Sequence, residues 1–183
     1  MRTLNNSEKF ALAMPILTAA GILLLSQSSK AQDLETVPYV DLEKYVGEWY
    51  EIASIPQSFQ KGCTSTKAIY TANEDGTIQV ENTCYLPAKG KTKTAKAKAF
   101  VEDGSGNAKL NVQFFWPFKG KYWVIELAKD YSYAVVGHPN RKYLWVLSRT
   151  PEMDGNLYHQ LLESSAEKGF DISKLEKTIQ TVS

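Results

Sequence analysis

The sequence predicts an all-β domain followed by one C-terminal helix, and three observations carry the prediction. From Val37 onward, short runs rich in β-branched and aromatic residues alternate with turn signals about every ten residues, the spacing of a sandwich or a barrel. The runs number eight, and an even number of antiparallel strands can close on itself and leave no edge exposed. Near the C-terminus the period changes: Leu157, Leu161, Leu162 and Ala166 form one apolar stripe at helical spacing.

The expected strands cover 49–55, 66–71, 77–85, 92–101, 109–116, 122–127, 133–137 and 143–148. Asn73-Glu74-Asp75-Gly76 turns the second into the third, because Gly accepts a positive φ and Asn and Asp bond their own backbone. The stretch from Glu102 to Asn107, then Trp116-Pro117-Phe118-Lys119-Gly120, then His138-Pro139-Asn140, punctuate the later strands. Asp154 is placed to cap the helix. Gly169 followed by Phe170 ends it as a Schellman stop would. The final segment, 172–182, alternates enough for a short last strand. No repeat or linker interrupts the chain, so 32–183 reads as one domain.

Residues 1–31 read differently. Arg2 and Lys9 precede an apolar run from Phe10 to Leu25, and Ser29-Lys30-Ala31 supplies small residues at the positions a signal peptidase inspects. This is the pattern of a cleavable secretory signal ending at Ala31; the run is shorter than the ~20 apolar residues of a membrane span. Arg2, Lys9, Lys30 and Glu8 leave with it. Of 21 basic and 20 acidic residues, that leaves one acid in excess, a balance that points to no nucleic acid and no strongly charged partner.

The only cysteines are Cys63 and Cys84, and in an exported chain two cysteines most simply form one disulfide. If Ala72 faces Thr77, Cys63 faces Leu86, two residues from Cys84, so a bulge or a diagonal approach is needed to join them. The other reading is a free, nucleophilic thiol, although no residue pattern here activates one.

Three segments then act together: Gly47-Glu48-Trp49-Tyr50-Glu51-Ile52-Ala53-Ser54, Asp130-Tyr131, and Leu147-Ser148-Arg149-Thr150. A Gly-x-Trp opening a strand, an Asp-Tyr between two later strands and an Arg closing another resemble the signature regions of the lipocalins. Phe114-Phe115-Trp116-Pro117-Phe118 and Tyr143-Leu144-Trp145-Val146 extend the resemblance towards bacterial lipocalins, apolipoprotein D and the plant temperature-induced and chloroplast lipocalins. The resemblance covers roughly 40–177. It implies an eight-stranded antiparallel up-and-down barrel, a calyx, with the helix packed on its outside. It further implies that Trp49 lies across the closed end with Arg149 packed over it, a cation–π contact worth ~0.5–2 kcal/mol. Gly47, Trp49, Asp130, Tyr131 and Arg149 are the structural signature.

Strand alternation assigns the inward face. Leu147, Trp145 and Tyr143 share the face of Arg149. In 92–101 the lysines Lys96 and Lys98 point out and Ala95, Ala97 and Ala99 point in. Tyr70 with Ala68, Asn82 with Val80, and Phe114 with Val112 are inward candidates by pattern and by resemblance. Tyr122 with Val124 and Ala134 with Val136 match inward family positions. The ligand-contact set is therefore Tyr70, Asn82, Phe114, Tyr122, Val136, Tyr143 and Trp145, with core packing as the alternative for each member. Aromatic walls with a few polar groups suit an amphipathic lipid. Glu51 shares the face of Trp49 and is expected to be a buried carboxylate in the barrel floor, held by a structural hydrogen bond.

Lys89, Lys91, Lys93, Lys96 and Lys98 form one charge cluster, read either as a solvated outer face that discourages edge pairing or as a patch near the mouth that meets anionic groups. The aromatic tip at 114–118 is read as resting on a membrane or on another subunit. His138 and His159 have no ligand or base partner at useful spacing, so no cofactor, no metal and no catalytic residue is expected. The resemblance implies a carrier of fatty acids, lysophospholipids or related lipids, a monomer or weak homodimer. Its expected compartment is the periplasm in a bacterium, or the thylakoid lumen or the exterior in a plastid-bearing cell. Because no Cys follows the cleavage site, no lipid anchor is expected. The alternative is an enzyme on the same barrel, an isomerase or a carotenoid epoxide-processing type, using a reactive cysteine.

Overall fold

Strands β1 (Gly47–Ser54), β2 (Thr64–Ala72), β3 (Ile78–Leu86), β4 (Lys91–Val101), β5 (Lys109–Phe115), β6 (Phe118–Leu127), β7 (Tyr133–Gly137) and β8 (Leu144–Ser148) pair antiparallel, each with its sequence neighbour. β8 pairs back on β1 and β1 pairs with β2, so the sheet closes into an eight-stranded barrel. The protein is described from a computed structural model that covers residues 33–181; the expected signal segment 1–31 lies outside the described residues. A helical turn, α1 (Leu42–Tyr45), crosses the end of the barrel where β1 begins, its start capped by the Asp41 carboxylate accepting from the Glu43 amide at 3.1 Å. Helix α2 (Gly155–Glu167) follows β8.

Two apolar layers result, one on each side of the barrel wall. Inside lie Trp49, Tyr70, Val80, Ala97, Ala99, Val124, Ala134, Val136 and Leu147. Outside, Ala53, Ile125, Val135, Leu144 and Val146 meet Tyr158 and Leu161 of α2 and Phe170 beyond it. Strands β7 and β8 are therefore apolar on both faces, as a sheet covered on both sides must be. β4, with no helix over it, alternates, and Ala97 and Ala99 are buried while Lys96 is exposed. Phe170 docks by filling the place where Gly137 has no side chain. A Cβ there would lie 2.5 Å from its ring.

The cap and stop of α2 are as the sequence predicts. Asp154 accepts from the Asn156 and Leu157 amides, both at 3.0 Å. Gly169 adopts φ +86°, and the Phe170 amide returns to Ser165 O at 3.1 Å. The buried stripe differs from expectation: Tyr158, Leu161 and Ser165 face the barrel, Leu157 and Leu162 flank them, and Ala166 is exposed. Ser165 is admitted because its hydroxyl donates to Leu161 O at 2.7 Å inside the helix.

Two further expectations are corrected. The segment 116–120, read as a turn, contributes Phe118, Lys119 and Gly120 to β6. Phe115 pairs directly with Phe118 and only Trp116-Pro117 forms the loop. The expected last strand, 172–182, becomes a 3₁₀ turn (Ile172–Lys174) and a two-residue strand, β9 (Glu176–Lys177). Beyond Tyr50, β1 no longer pairs with β2 while it stays paired with β8, and the C-terminal segment enters the gap. Thr178 N donates to Ile52 O at 2.9 Å, and Ser65 N donates to Ile179 O at 2.7 Å.

Candidate functional site

The closed end is built around Trp49, which is fully buried. Its indole N–H donates to Tyr45 O at 2.8 Å, and the Tyr45 ring packs on it with centroids 5.1 Å apart. The Arg149 guanidinium carbon sits 3.8 Å from the centre of the Trp49 ring. Its nitrogens donate to Glu48 O and Lys44 O at 2.7 Å, to Tyr45 O and Val46 O at 3.1 Å, and to Tyr131 O at 3.3 Å. Arginine fits because its planar fork carries five donors and keeps its charge when half-buried. Gly47 has φ +100°, and a Cβ there would press to 3.3 Å from an Arg149 nitrogen. Tyr131, at φ +62°, accepts at its hydroxyl oxygen from the Asp41 amide at 2.9 Å. Asp130 accepts from the Ser132 amide and hydroxyl, which hold its carboxyl below the usual range. All five signature residues therefore meet in or beside the plug of the barrel.

Above the plug lies a cavity of about 530 Å³, within the range of small-molecule sites. Its walls include Ala68, Tyr70, Val80, Asn82, Val112, Phe114, Tyr122, Tyr143, Trp145 and Leu147. Tyr143 and Trp145 stack at 6.2 Å with an 11° interplanar angle, and His138 meets the Tyr143 ring edge-on at 5.5 Å. Partial burial pushes the His138 imidazole below its ordinary range, so it stands neutral at the mouth. Deepest lie three phenols. The Tyr45 and Tyr122 hydroxyls are 2.7 Å apart, and the Tyr70 hydroxyl donates to Tyr122 at 3.0 Å. Burial raises all three phenols, Tyr70 to about 12, so they remain neutral donors.

Six of the seven expected contact residues surround this cavity. Val136 does not: it is fully buried in the inner core layer with Val124 and Ala134, below the cavity surface. Glu51 is buried as expected, but on the wall rather than in the floor. Its carboxylate accepts from Ser54 Oγ and Gln60 Nε2 at 2.9 Å and from Thr178 Oγ1 at 2.6 Å. Ser54 is local to β1, but Gln60 and Thr178 come from the 55–63 segment and the C-terminal segment, which no local pattern could join to β1. Phe59, Gln60 and His138 also line the cavity and are absent from the expected set. The first two sit in a single 3₁₀ turn (Ser58–Gln60), too short to show a period; His138 differs, since its place beside Tyr143 across a short turn is available to alternation.

The open end carries the exposed aromatics. Phe115, Trp116 and Phe118 are 67%, 85% and 68% exposed at the β5–β6 hairpin, where a bulge after Val112 turns both Phe114 and Phe115 to the cavity mouth. The lysine cluster divides. Lys96 pairs with Glu81 at 3.1 Å and Lys98 with Asp75 at 2.7 Å on the outer face, as a solvated surface requires. Lys89, Lys91 and Lys93 stand exposed at the same end as the aromatic hairpin, and none of the cluster lines the cavity. Cys63 and Cys84 form a disulfide across the starts and ends of β2 and β3 at this rim. The joining device is a bulge between Thr64 and Lys67, with Ser65 at φ +50°. These are the only thiols of the chain, so the nucleophile required by the enzymatic alternative is consumed. Among the described residues no group of three or more His, Cys, Asp or Glu is placed to hold a metal.

A barrel plugged at one end, open at the other and hollow between is the calyx of a ligand-carrying protein. The lipocalin-like domain model matches residues 40–180, and the chain belongs to the lipocalin family. Temperature-induced lipocalin-1 of Arabidopsis thaliana is 43% identical over 162 residues, covering 84% of this chain and 86% of the relative. The outer membrane lipoprotein Blc of Vibrio cholerae is 39% identical, covering 87% and 94%. Apolipoprotein D of Mus musculus is 36% identical, covering 76% and 77%. Among solved structures, insecticyanin of Manduca sexta shares the fold at a TM-score of 0.65 and 22% identity, covering 82% and 85% of the two chains.

Proposed function

We propose that this protein binds and carries amphipathic lipids, fatty acids or lysophospholipids among them, outside the cytoplasm. The cavity carries the reading. Its wall is largely aromatic and aliphatic, interrupted by polar groups that include Asn82, Glu51 and the Tyr70 and Tyr122 phenols, and its volume suits one chain-like molecule. Tyr70, Asn82, Phe114, Tyr122, Tyr143 and Trp145 are the contact residues in this reading, and Val136 supports them from behind. The hairpin of Phe115, Trp116 and Phe118 beside exposed Lys89, Lys91 and Lys93 suits transient contact with an anionic membrane surface, through which lipid enters the mouth. Export after cleavage at Ala31 agrees with the outer-membrane placement in the name of the bacterial relatives, and protection of membranes under stress agrees with the plant relative's name. The protein acts as a monomer or weak homodimer.

Organic extraction of the protein beginning at Gln32, followed by mass spectrometry, is expected to release a lipid in stoichiometric amount. Added fatty acid is expected to quench tryptophan emission through Trp145. An empty barrel whose emission is indifferent to fatty acids overturns the carrier reading. N-terminal sequencing of exported protein is expected to begin at Gln32, and a retained Met1 would remove the signal assignment.

A further inference from the structure

The phenol trio at the base of the cavity has an unequal balance of donors and acceptors. Tyr45, Tyr122 and Tyr70 bring three hydroxyl protons to two oxygen–oxygen contacts, with Tyr122 in the middle of both. One proton is always left over. Tyr70 donates to Tyr122. If Tyr122 in turn donated to Tyr45, the spare proton would belong to Tyr45, which is buried against Trp49 and lines no part of the cavity. A buried donor without an acceptor is costly. If Tyr45 donates instead, Tyr122 accepts twice and its own proton is free. Tyr122 is half-buried and lines the cavity. The second arrangement leaves every proton where an acceptor can reach it. Apolar Val80, Val112 and Leu147 line the same cavity, and among the described residues no carboxylate hydrogen-bonds to the trio, the Glu51 charge acting on Tyr70 only through space.

We propose that the Tyr122 hydroxyl donates to an oxygen at the inner end of the bound lipid, so that the cavity selects chains bearing a neutral oxygen acceptor, a hydroxyl or carbonyl, at the end inserted first. A plain hydrocarbon end leaves the spare proton unmatched in an apolar floor. An ionised carboxylate would have to shed its hydration there, so it stays at the mouth. The inference rests on the lipid-carrier reading and adds to it an orientation and a class of preferred ligand, the chain oxygenated far from its headgroup.

The test compares hexadecanoic acid with its ω-hydroxy derivative, and the tetradecanoic and octadecanoic pairs likewise, by calorimetric titration of the wild-type protein and of Tyr122→Phe. Phe keeps the ring and removes only the hydroxyl. For the pair whose length reaches the floor, the ratio of the two affinities is expected to fall roughly tenfold in the variant, the loss of one hydrogen bond. The carbonyl stretch of a bound ω-oxo acid is expected at lower frequency in the wild type than in Tyr122→Phe. Set also against the same acid in an apolar solvent, the wild-type frequency reports the bond directly and does not depend on the variant's stability. Unchanged ratios at every length together with an unshifted carbonyl overturn the inference while leaving the carrier reading intact. Failure of every acid to bind the wild type overturns the carrier reading itself.

Discussion

The two ends of this barrel solve opposite problems. At the closed end, donors from one side chain, Arg149, are spent on five backbone carbonyls of α1, β1 and the β6–β7 turn, with a fully buried Trp49 beneath. At the open end the chain is tied by a covalent bond, Cys63–Cys84, and leaves Phe115, Trp116 and Phe118 facing outward. Matched polar groups over a packed ring give an end that resists water. A stapled rim with unmatched apolar surface gives an end that can meet a ligand or a membrane. The difference is one of hydrogen-bond satisfaction as much as of packing.

Removing the plug tests the first half of that comparison and is expected to have the largest effect. Arg149→Leu removes a donor from the carbonyls of Lys44, Tyr45, Val46, Glu48 and Tyr131 at once, for a loss of roughly 4 kcal/mol in chemical denaturation. Arg149→Lys, which keeps the charge but not the fork, should recover only a minor part. A variant that unfolds like the wild type would show that the plug is held by packing alone.

Next comes the staple. The double substitution Cys63→Ser with Cys84→Ser opens a loop of sequence separation 21 and is expected to cost about 3 kcal/mol through the unfolded chain's entropy. Amide exchange should loosen first in the 55–63 segment, with the closed end still protected. Uniform loosening would mean that the two ends form one cooperative unit.

A smaller effect, on binding and not on folding, is expected from Phe115→Ser combined with Trp116→Ser. Stability should stay within about 0.5 kcal/mol, as for exposed sites, while co-sedimentation with anionic vesicles falls several-fold. Sedimentation equal to wild type would remove the membrane role of the hairpin.

The smallest effect comes from the turn after β2. The bond from Lys98, then those from Thr77, hold the Asp75 carboxyl below its ordinary range. A depressed carboxyl contributes stability that is fully present above the unfolded carboxylate pKa and is lost as pH falls through the folded one. Asp75 is exposed, so the contribution is screened. Asp75→Asn should flatten the acid limb of the stability curve only slightly, and less in high salt. A large change at neutral pH would contradict this.

Several elements are legible in the sequence. Alternation placed Ala97 and Ala99 inside and Lys96 outside, because in a strand successive side chains must take opposite faces. The cap at Asp154 and the stop at Gly169 were equally legible, since each is decided within four residues. The β5–β6 hairpin was misjudged in length, because Phe118-Lys119-Gly120 has turn composition yet pairs with Phe115 and its neighbours. Val136 reads as a cavity residue because alternation reports a face and says nothing of whether an inward side chain reaches the cavity surface.

By itself, then, the sequence determined the strand count, the inward face of each strand, the Gly47–Trp49–Arg149 plug and the helix with both its ends. The strand count, the faces and the helix follow from local period and local backbone chemistry, and the plug from the family resemblance of its three motifs. Only the tertiary structure decided the rest. It seated the Glu51 carboxylate among Ser54, Gln60 and Thr178, separated by as many as 127 residues. It closed the sulfurs through a bulge at Ser65. It also gathered Tyr45, Tyr70 and Tyr122 into one chain of hydroxyls, drawn from α1, β2 and β6. Such groups meet because a closed barrel brings distant strands to one axis, and what each polar atom must then bond with depends on neighbours that no window of sequence contains.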